Sequence, residues 1–280
     1  MKPTALLNRI AADRRRSSTG CIATNTFLDS GALERCQSHI QRMRGHSPEL
    51  RRHLDQARIR GLKSWEYCGL LCNVGDLYGV RVIDVGSGRS LFGSYLRSMG
   101  ARVTTFDLPT PHQPEAPSAI AQARRSGVFH ASGNMLTLPF ATGSFDLALS
   151  ISVVEHLQQN PKDLKGEPRP YGDFIADTRI AVRELARCVA PGGYLYLSTD
   201  LFDSERQVGD DWWRHGSQVA CAYRVADFDG LFVGTLTGAG LTFDRPTDFD
   251  FRAVLRDPTR SNYRGRYFTT FSLLMRRPAF

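Results

Sequence analysis

Val80-Arg81-Val82-Ile83-Asp84-Val85-Gly86-Ser87-Gly88 is the stretch that decides the fold. Apart from Arg81 and Asp84 its first part is apolar and β-branched, as a parallel strand covered on both faces should be. Gly86 and Gly88 break the strand, and a helical pattern follows from about Leu91 to Met99, closed by Gly100. Strand, glycine turn and helix form the opening unit of a sheet built by right-handed crossovers.

Working downstream, the same grammar repeats. Arg102 to Phe106 predicts a second strand ending at Asp107, Val128 to Ala131 a third, and Phe145 to Ser150 a fourth. A helix from about Phe174 to Val189 stops at Pro191-Gly192-Gly193, and Tyr194 to Ser198 is the fifth strand. A helix near Val225–Thr237 precedes Leu241-Thr242-Phe243, and Tyr267 to Met275 closes the sheet. The expected class is α/β, a seven-stranded, mostly parallel sheet flanked by helices.

Upstream the chain changes character. Residues 1–30 read as partly disordered or as a loosely docked arm. Gly31 to about Arg60 reads as two helices divided by Pro48, and Ser64 as the N-cap of a short helix through Trp65, Tyr67, Leu70 and Leu71. Their apolar content is too thin for a separate core, so residues 1–62 are expected to form an arm and helical cap on a catalytic domain at 63–280. The formal charge is +8, and residues 1–80 hold 13 Lys/Arg against 7 Asp/Glu, which places most of the excess here. Such a face suits nucleic acid or an acidic partner; a solvated helical surface is the competing reading. No apolar run reaches the length of a membrane span, and no secretory signal is evident, so the expected location is the cytoplasm. The six cysteines lack metal-site or disulfide-framework spacing, and no metal centre is expected.

In open α/β sheets a ligand sits beyond the carboxyl ends of the strands, where strand order reverses. Asp84, Gly86, Ser87 and Gly88 fall there, and Asp107 ends the next strand, where a carboxylate can accept both hydroxyls of a ribose. Glycines at 86 and 88 let backbone approach a ligand, or simply make a tight turn. Asp107 is either a ribose acceptor or a helix cap. A dinucleotide fits poorly: the Gly-x-Gly-x-x-Gly pattern needs glycine at 91, where Leu91 stands. Asp84 would also crowd a diphosphate with negative charge, whereas a cationic amino-acid head group suits it.

These stretches resemble the class I S-adenosylmethionine-dependent methyltransferases. The matching blocks are Val82 to Gly88, Val103 to Asp107, Gly133-Asn134-Met135 with Leu138-Pro139-Phe140, Ser144 to Leu147, Val153 to Leu157, and Leu185 through Pro191-Gly192-Gly193 to Leu197. They keep the family's order across roughly residues 65–275, and the implied fold is Rossmann-like. The resemblance implies S-adenosylmethionine as methyl donor and S-adenosylhomocysteine as product. It assigns the methionine end to Asp84, Gly86, Ser87 and Gly88, the ribose to Asp107, the adenine to Leu108, Asn134 and Met135, and the floor near the sulfonium to Ile151. Two departures stand out: Ser90 replaces a frequent third glycine, its hydroxyl free to cap the following helix, and Asn134 replaces a frequent Asp. Asn134 also reads as a turn cap.

Methyl transfer from a sulfonium needs alignment more than a base, and a base only where the acceptor must lose a proton. His156, just past the fourth strand, and His215, in Asp210-Asp211-Trp212-Trp213-Arg214-His215, are the base candidates; the alternative for His156 is bracing a loop, and for the His215 segment a loop anchored by one buried Trp. The paired tryptophans suit an amphipathic pocket wall or lid, and the Pro-bearing connection Gln158 to Tyr171 a functional loop. The expected acceptor is a small molecule: a natural product, sugar or nucleotide-linked intermediate. An RNA or protein acceptor held by the basic N-terminal region, a non-catalytic cofactor-binding partner, and a donor used for a reaction other than methylation are the alternatives.

Overall fold

The structure is a computed structural model and describes residues 26–27, 34, 36–56, 62–88, 90–108, 116–158, 170–202, 212–215, 218–221, 223–244, 247, 249, 262–263 and 266–279. Its strands are β1 (Thr26–Phe27), β2 (Arg81–Val85), β3 (Arg102–Asp107), β4 (Phe129–Ser132), β5 (Phe145–Ile151), β6 (Val189–Phe202), β7 (Trp212–His215), β8 (Gln218–Cys221), β9 (Tyr223–Arg224), β10 (Asn262–Tyr263) and β11 (Arg266–Arg276). The helices are α1 (Gln37–His46), α2 (Pro48–Gln56), α3 (Leu62–Val74), α4 (Phe92–Ser98), α5 (Ala116–Arg125), α6 (Tyr171–Cys188) and α7 (Gly234–Gly238).

Seven strands run in the order β1-β11-β6-β5-β2-β3-β4, with β9 added on β6 and β10 on β11. The pairs among β2 to β6 are parallel, and β11 is antiparallel to both β6 and β1. The chain winds outward from β2 through β3 to β4, then returns to β5 on the other side of β2. The order therefore reverses between β2 and β5, and a crevice opens beyond their carboxyl ends. Asp84 lies opposite Thr105 on one side and Leu149 on the other.

Alternate residues of each strand serve opposite faces. Val82, Leu149 and Tyr196 join a cluster with Ile40, Met43, Leu50 and Trp65, so α1, α2 and α3 cover one face. Ile83, Val85 and Phe106 join Phe174, Val182 and Leu185 of α6 on the other. The break between α1 and α2 has a local cause: the Leu50 N–H donates to Ser47 Oγ at 3.0 Å, and Pro48 takes the first helical position, where no donor is needed.

Several expectations need correction. The arm supplies an edge strand, because β1 pairs with β11 through Thr26 and Phe27. Leu241-Thr242-Phe243 is reduced to one bridge between Thr242 and Arg276. Ser64 lies inside α3, buried, rather than at its N-cap. Pro191-Gly192-Gly193 sits within β6, where pairing with β5 shifts between Phe145 and Leu147; a Cβ on Gly193 would lie 2.7 Å from the Asp146 carbonyl oxygen. The expected helix near 225–237 is a 3₁₀ turn, a π turn and the short α7. Trp212-Trp213 is part of an antiparallel hairpin, β7 with β8, and most of the 158–171 connection lies outside the described residues.

Candidate functional site

The turn after β2 is built for glycine. Gly86 has φ +79°, and a Cβ there would fall 2.2 Å from Val153 Cγ1. Its N–H donates to the Phe106 carbonyl at 2.7 Å, which locks the turn to β3. Gly86 is thus required by packing on Val153 as well as by conformation. Gly88 differs: φ is +54°, yet among the described residues a Cβ would meet nothing nearer than the Gly86 carbonyl oxygen at 4.0 Å. The turn's open side is therefore at Gly88.

Asp107 and that turn meet. The Gly88 N–H donates to Asp107 Oδ2 at 2.6 Å, and the Leu108 N–H to Oδ1 at 2.7 Å. Burial raises the Asp107 pKa, while these two N–H groups and the nearby His130 and His156 pull it back toward the ionised form. Asp84 is buried at the end of β2, its pKa pushed up to about 7 by burial and then by the Asp107 charge, against the attraction of Lys63. Ser87 is buried within the turn and Leu108 is exposed beside it. Ser90 stands one position before the helix's N-cap, Leu91; its hydroxyl accepts the Phe92 N–H at 3.1 Å and also meets Tyr67 Oη at 2.9 Å.

Asn134 is exposed and accepts the Leu136 N–H at 3.0 Å, the turn-capping geometry. Met135 packs into the core, and Ile151 is buried at the end of β5. His156 is half-buried on the Val154–Gln158 turn, which β8 lies against. The backbone of His215 pairs with Gln218 in the neighbouring hairpin, while its side chain lies outside the described residues. The two histidines thus ride on adjacent elements beyond β5 and β6.

Sequence reasoning missed a buried polar network that α3 lays across the strand ends. Glu66 is fully buried; its Oε1 accepts from Ser152 Oγ at 2.5 Å and Ser198 Oγ at 2.7 Å. Its Oε2 pairs with Lys63 Nζ at 2.9 Å, an ion pair whose direction falls short of a hydrogen bond. Burial works against the Lys63 charge, but Glu66, with Tyr67 and Glu155, outweighs it and holds the ammonium above its ordinary range. Glu155 accepts from Thr199 Oγ1 at 2.7 Å and is pushed up to about 7 by burial; Asp200 accepts from Thr270 Oγ1 and is pushed up to about 8 by burial and by Glu155. The signal available was Lys63 and Glu66 in a helix otherwise apolar on most sides. Gly93 was missed too: a Cβ there would lie 3.0 Å from Thr105 Cγ2, so it lets α4 approach the sheet, the role sought at position 91.

The basic N-terminal face is partly self-neutralised. Arg44 pairs with Asp55 at 2.6 Å and Arg52 with Glu49 at 3.6 Å, while Arg14, Arg15, Arg16, Arg58 and Arg60 lie outside the described residues. Among the described residues no group of His, Cys, Asp and Glu could hold a metal ion, and no helix is long and apolar enough to cross a membrane.

A methyltransferase domain family matches residues 83–197. A malonyl-[acyl-carrier protein] O-methyltransferase of Erwinia billingiae is 28% identical over 134 residues, covering 48% of this chain and 44% of that protein. A ubiquinone biosynthesis O-methyltransferase of Xanthomonas oryzae pv. oryzae is 30% identical over 131 residues, 44% of each. The chain thus spans less than half the length of the curated relatives it matches. An S-adenosylmethionine-dependent methyltransferase structure from Mesorhizobium loti superposes with a TM-score of 0.51 at 19% identity, covering 80% of this chain and all of that one, which establishes the shared fold.

Proposed function

We propose that this chain belongs to the class I S-adenosylmethionine-dependent methyltransferase family, a reading supported by the matched methyltransferase domain and the shared fold, and that it transfers the donor's methyl group to a small-molecule acceptor. The observation that carries the reading is the 2.6 Å bond from the Gly88 N–H to Asp107. It brings a glycine turn with an open side and a ribose-type carboxylate together at the reversal of strand order. The names of the two curated relatives support transfer to an acceptor that is small or carries a small reacting group.

The residues present fit the cofactor. Among the described residues a Cβ on Gly88 would meet only the Gly86 carbonyl oxygen, at 4.0 Å, and Asp84 is a buried carboxylate beside that turn. Bound there, S-adenosylmethionine supplies a methyl group already activated on a sulfonium. Asp107 would accept the ribose hydroxyls, and exposed Leu108 would cover one face of the adenine, with Asn134 and Met135 at its edge. Asp84 and the turn at Gly86, Ser87 and Gly88 would hold the amino-acid end, and Ile151 would floor the methyl position. Alignment and exclusion of water by such a site are worth roughly 7–11 kcal/mol of the barrier. His156 would take a proton from a hydroxyl acceptor, and the hairpin that carries His215 would form the acceptor side.

Isothermal titration with S-adenosylmethionine and S-adenosylhomocysteine, followed by mass spectrometry of acceptor mixtures, tests this. Saturable binding of both and gain of one methyl group by a small acceptor are expected. Binding of neither would sink the reading. Methylation of RNA or protein alone, with strong salt dependence, would replace the small acceptor with a macromolecular one.

A further inference from the structure

We infer that Glu66, on the N-terminal cap, is a positioning residue for the Gly86–Gly88 turn and acts through the backbone of Ser152. The inference rests on the cofactor reading above. Among the described residues Ser152 is the non-glycine residue with positive φ, +51°. L-residues other than Gly, Asn and Asp rarely hold that conformation unless surroundings impose it. Here two bonds do: the Ser152 N–H donates to the Ser198 carbonyl at 2.9 Å, and its hydroxyl donates to Glu66 Oε1 at 2.5 Å.

What the conformation accomplishes lies one residue on. Reversal of the chain at 152 carries Val153 over the donor turn, where its methyls occupy the place a Cβ on Gly86 would need, 2.2 and 2.5 Å from it. Val153 therefore sets the lid under which the turn folds, and Gly88 follows directly to reach Asp107. Glu66 is well placed to dictate this. Its carboxylate is fixed by Lys63 at 2.9 Å and Ser198 Oγ at 2.7 Å, and its own carbonyl accepts from Tyr196 Oη at 2.7 Å. The path runs from α3 through Glu66 and Ser152 to Val153 and the turn. A plain tether between α3 and the sheet would have no need of a left-handed residue at 152.

Two substitutions that delete the same hydroxyl separate these roles. Ser152→Ala loses the Glu66 bond and keeps the backbone cost; Ser152→Gly loses the bond and removes the cost. By titration of the full chain with S-adenosylmethionine, Ser152→Ala is expected to bind about tenfold more weakly than wild type, and Ser152→Gly about tenfold more tightly than Ser152→Ala. Glu66→Gln should weaken binding about tenfold in the wild-type background and less than about twofold in the Ser152→Gly background. Thermal denaturation without ligand should rank Ser152→Gly above Ser152→Ala. Equal affinities for the two Ser152 variants, or an equal Glu66→Gln penalty in both backgrounds, would overturn the inference while leaving the cofactor reading intact. Wild type that binds no S-adenosylmethionine would sink the cofactor reading, and the inference with it.

Discussion

Gly86→Ala isolates the donor turn. The added Cβ would sit 2.2, 2.5 and 2.8 Å from Cγ1, Cγ2 and Cβ of Val153, all inside the closest approach real carbon atoms make, so one side of the contact must move. Alanine also carries the strain of φ +79°, about 1–2 kcal/mol. Overpacking at the contact adds about 1–3 kcal/mol, so destabilisation of about 2–5 kcal/mol is expected. The turn is held at both ends, by Gly86 N–H to Phe106 and Gly88 N–H to Asp107, and displacement stretches both bonds. Affinity for S-adenosylmethionine should fall by at least roughly 30-fold, since about 2 kcal/mol is enough for that. Adding Val153→Ala removes the two methyls and leaves the 2.8 Å contact, so the double variant should recover part of the loss but not all of it. Calorimetric titration and thermal denaturation of the three proteins read both quantities. Gly86→Ala that binds like wild type and melts at the same temperature would refute the reasoning.

Two further outcomes follow from the same site. Asp107→Ala frees the Gly88 and Leu108 N–H groups and removes the proposed ribose acceptor, so S-adenosylmethionine affinity should fall on the order of a hundredfold; unchanged affinity in a titration would remove the basis of the site. Asp84, Glu155 and Asp200 have pKa values raised to about 7, about 7 and about 8, so the folded chain holds protons that the unfolded chain has released. Their stabilisation is complete below the ordinary carboxylate range and is lost as pH rises through about 7 to 8, so the melting temperature of the ligand-free protein should fall between about pH 5.5 and about pH 8.5. Asp84→Asn should flatten that slope, and a wild-type melting temperature that rises over the interval would contradict the assignment.

Local sequence carried much of the architecture and the location of the crevice. β-branched runs, glycines after β2 and the carboxylate ending β3 each declare themselves within a few residues, because strand burial and positive-φ turns are local demands. Thus Asp84, Gly86, Gly88 and Asp107 were legible, and Ser90 bonds the first turn of the following helix from the position before its N-cap. Only the tertiary structure decided which distant groups meet. That Thr26 and Phe27 would supply the edge strand, that Val153 would be the reason for Gly86, and that Glu66 would be buried against Ser152 and Ser198 depend on pairings across 67 to 246 residues. No pattern within a window reports such partners: a buried charge or a left-handed serine is permitted only by what the rest of the fold brings to it.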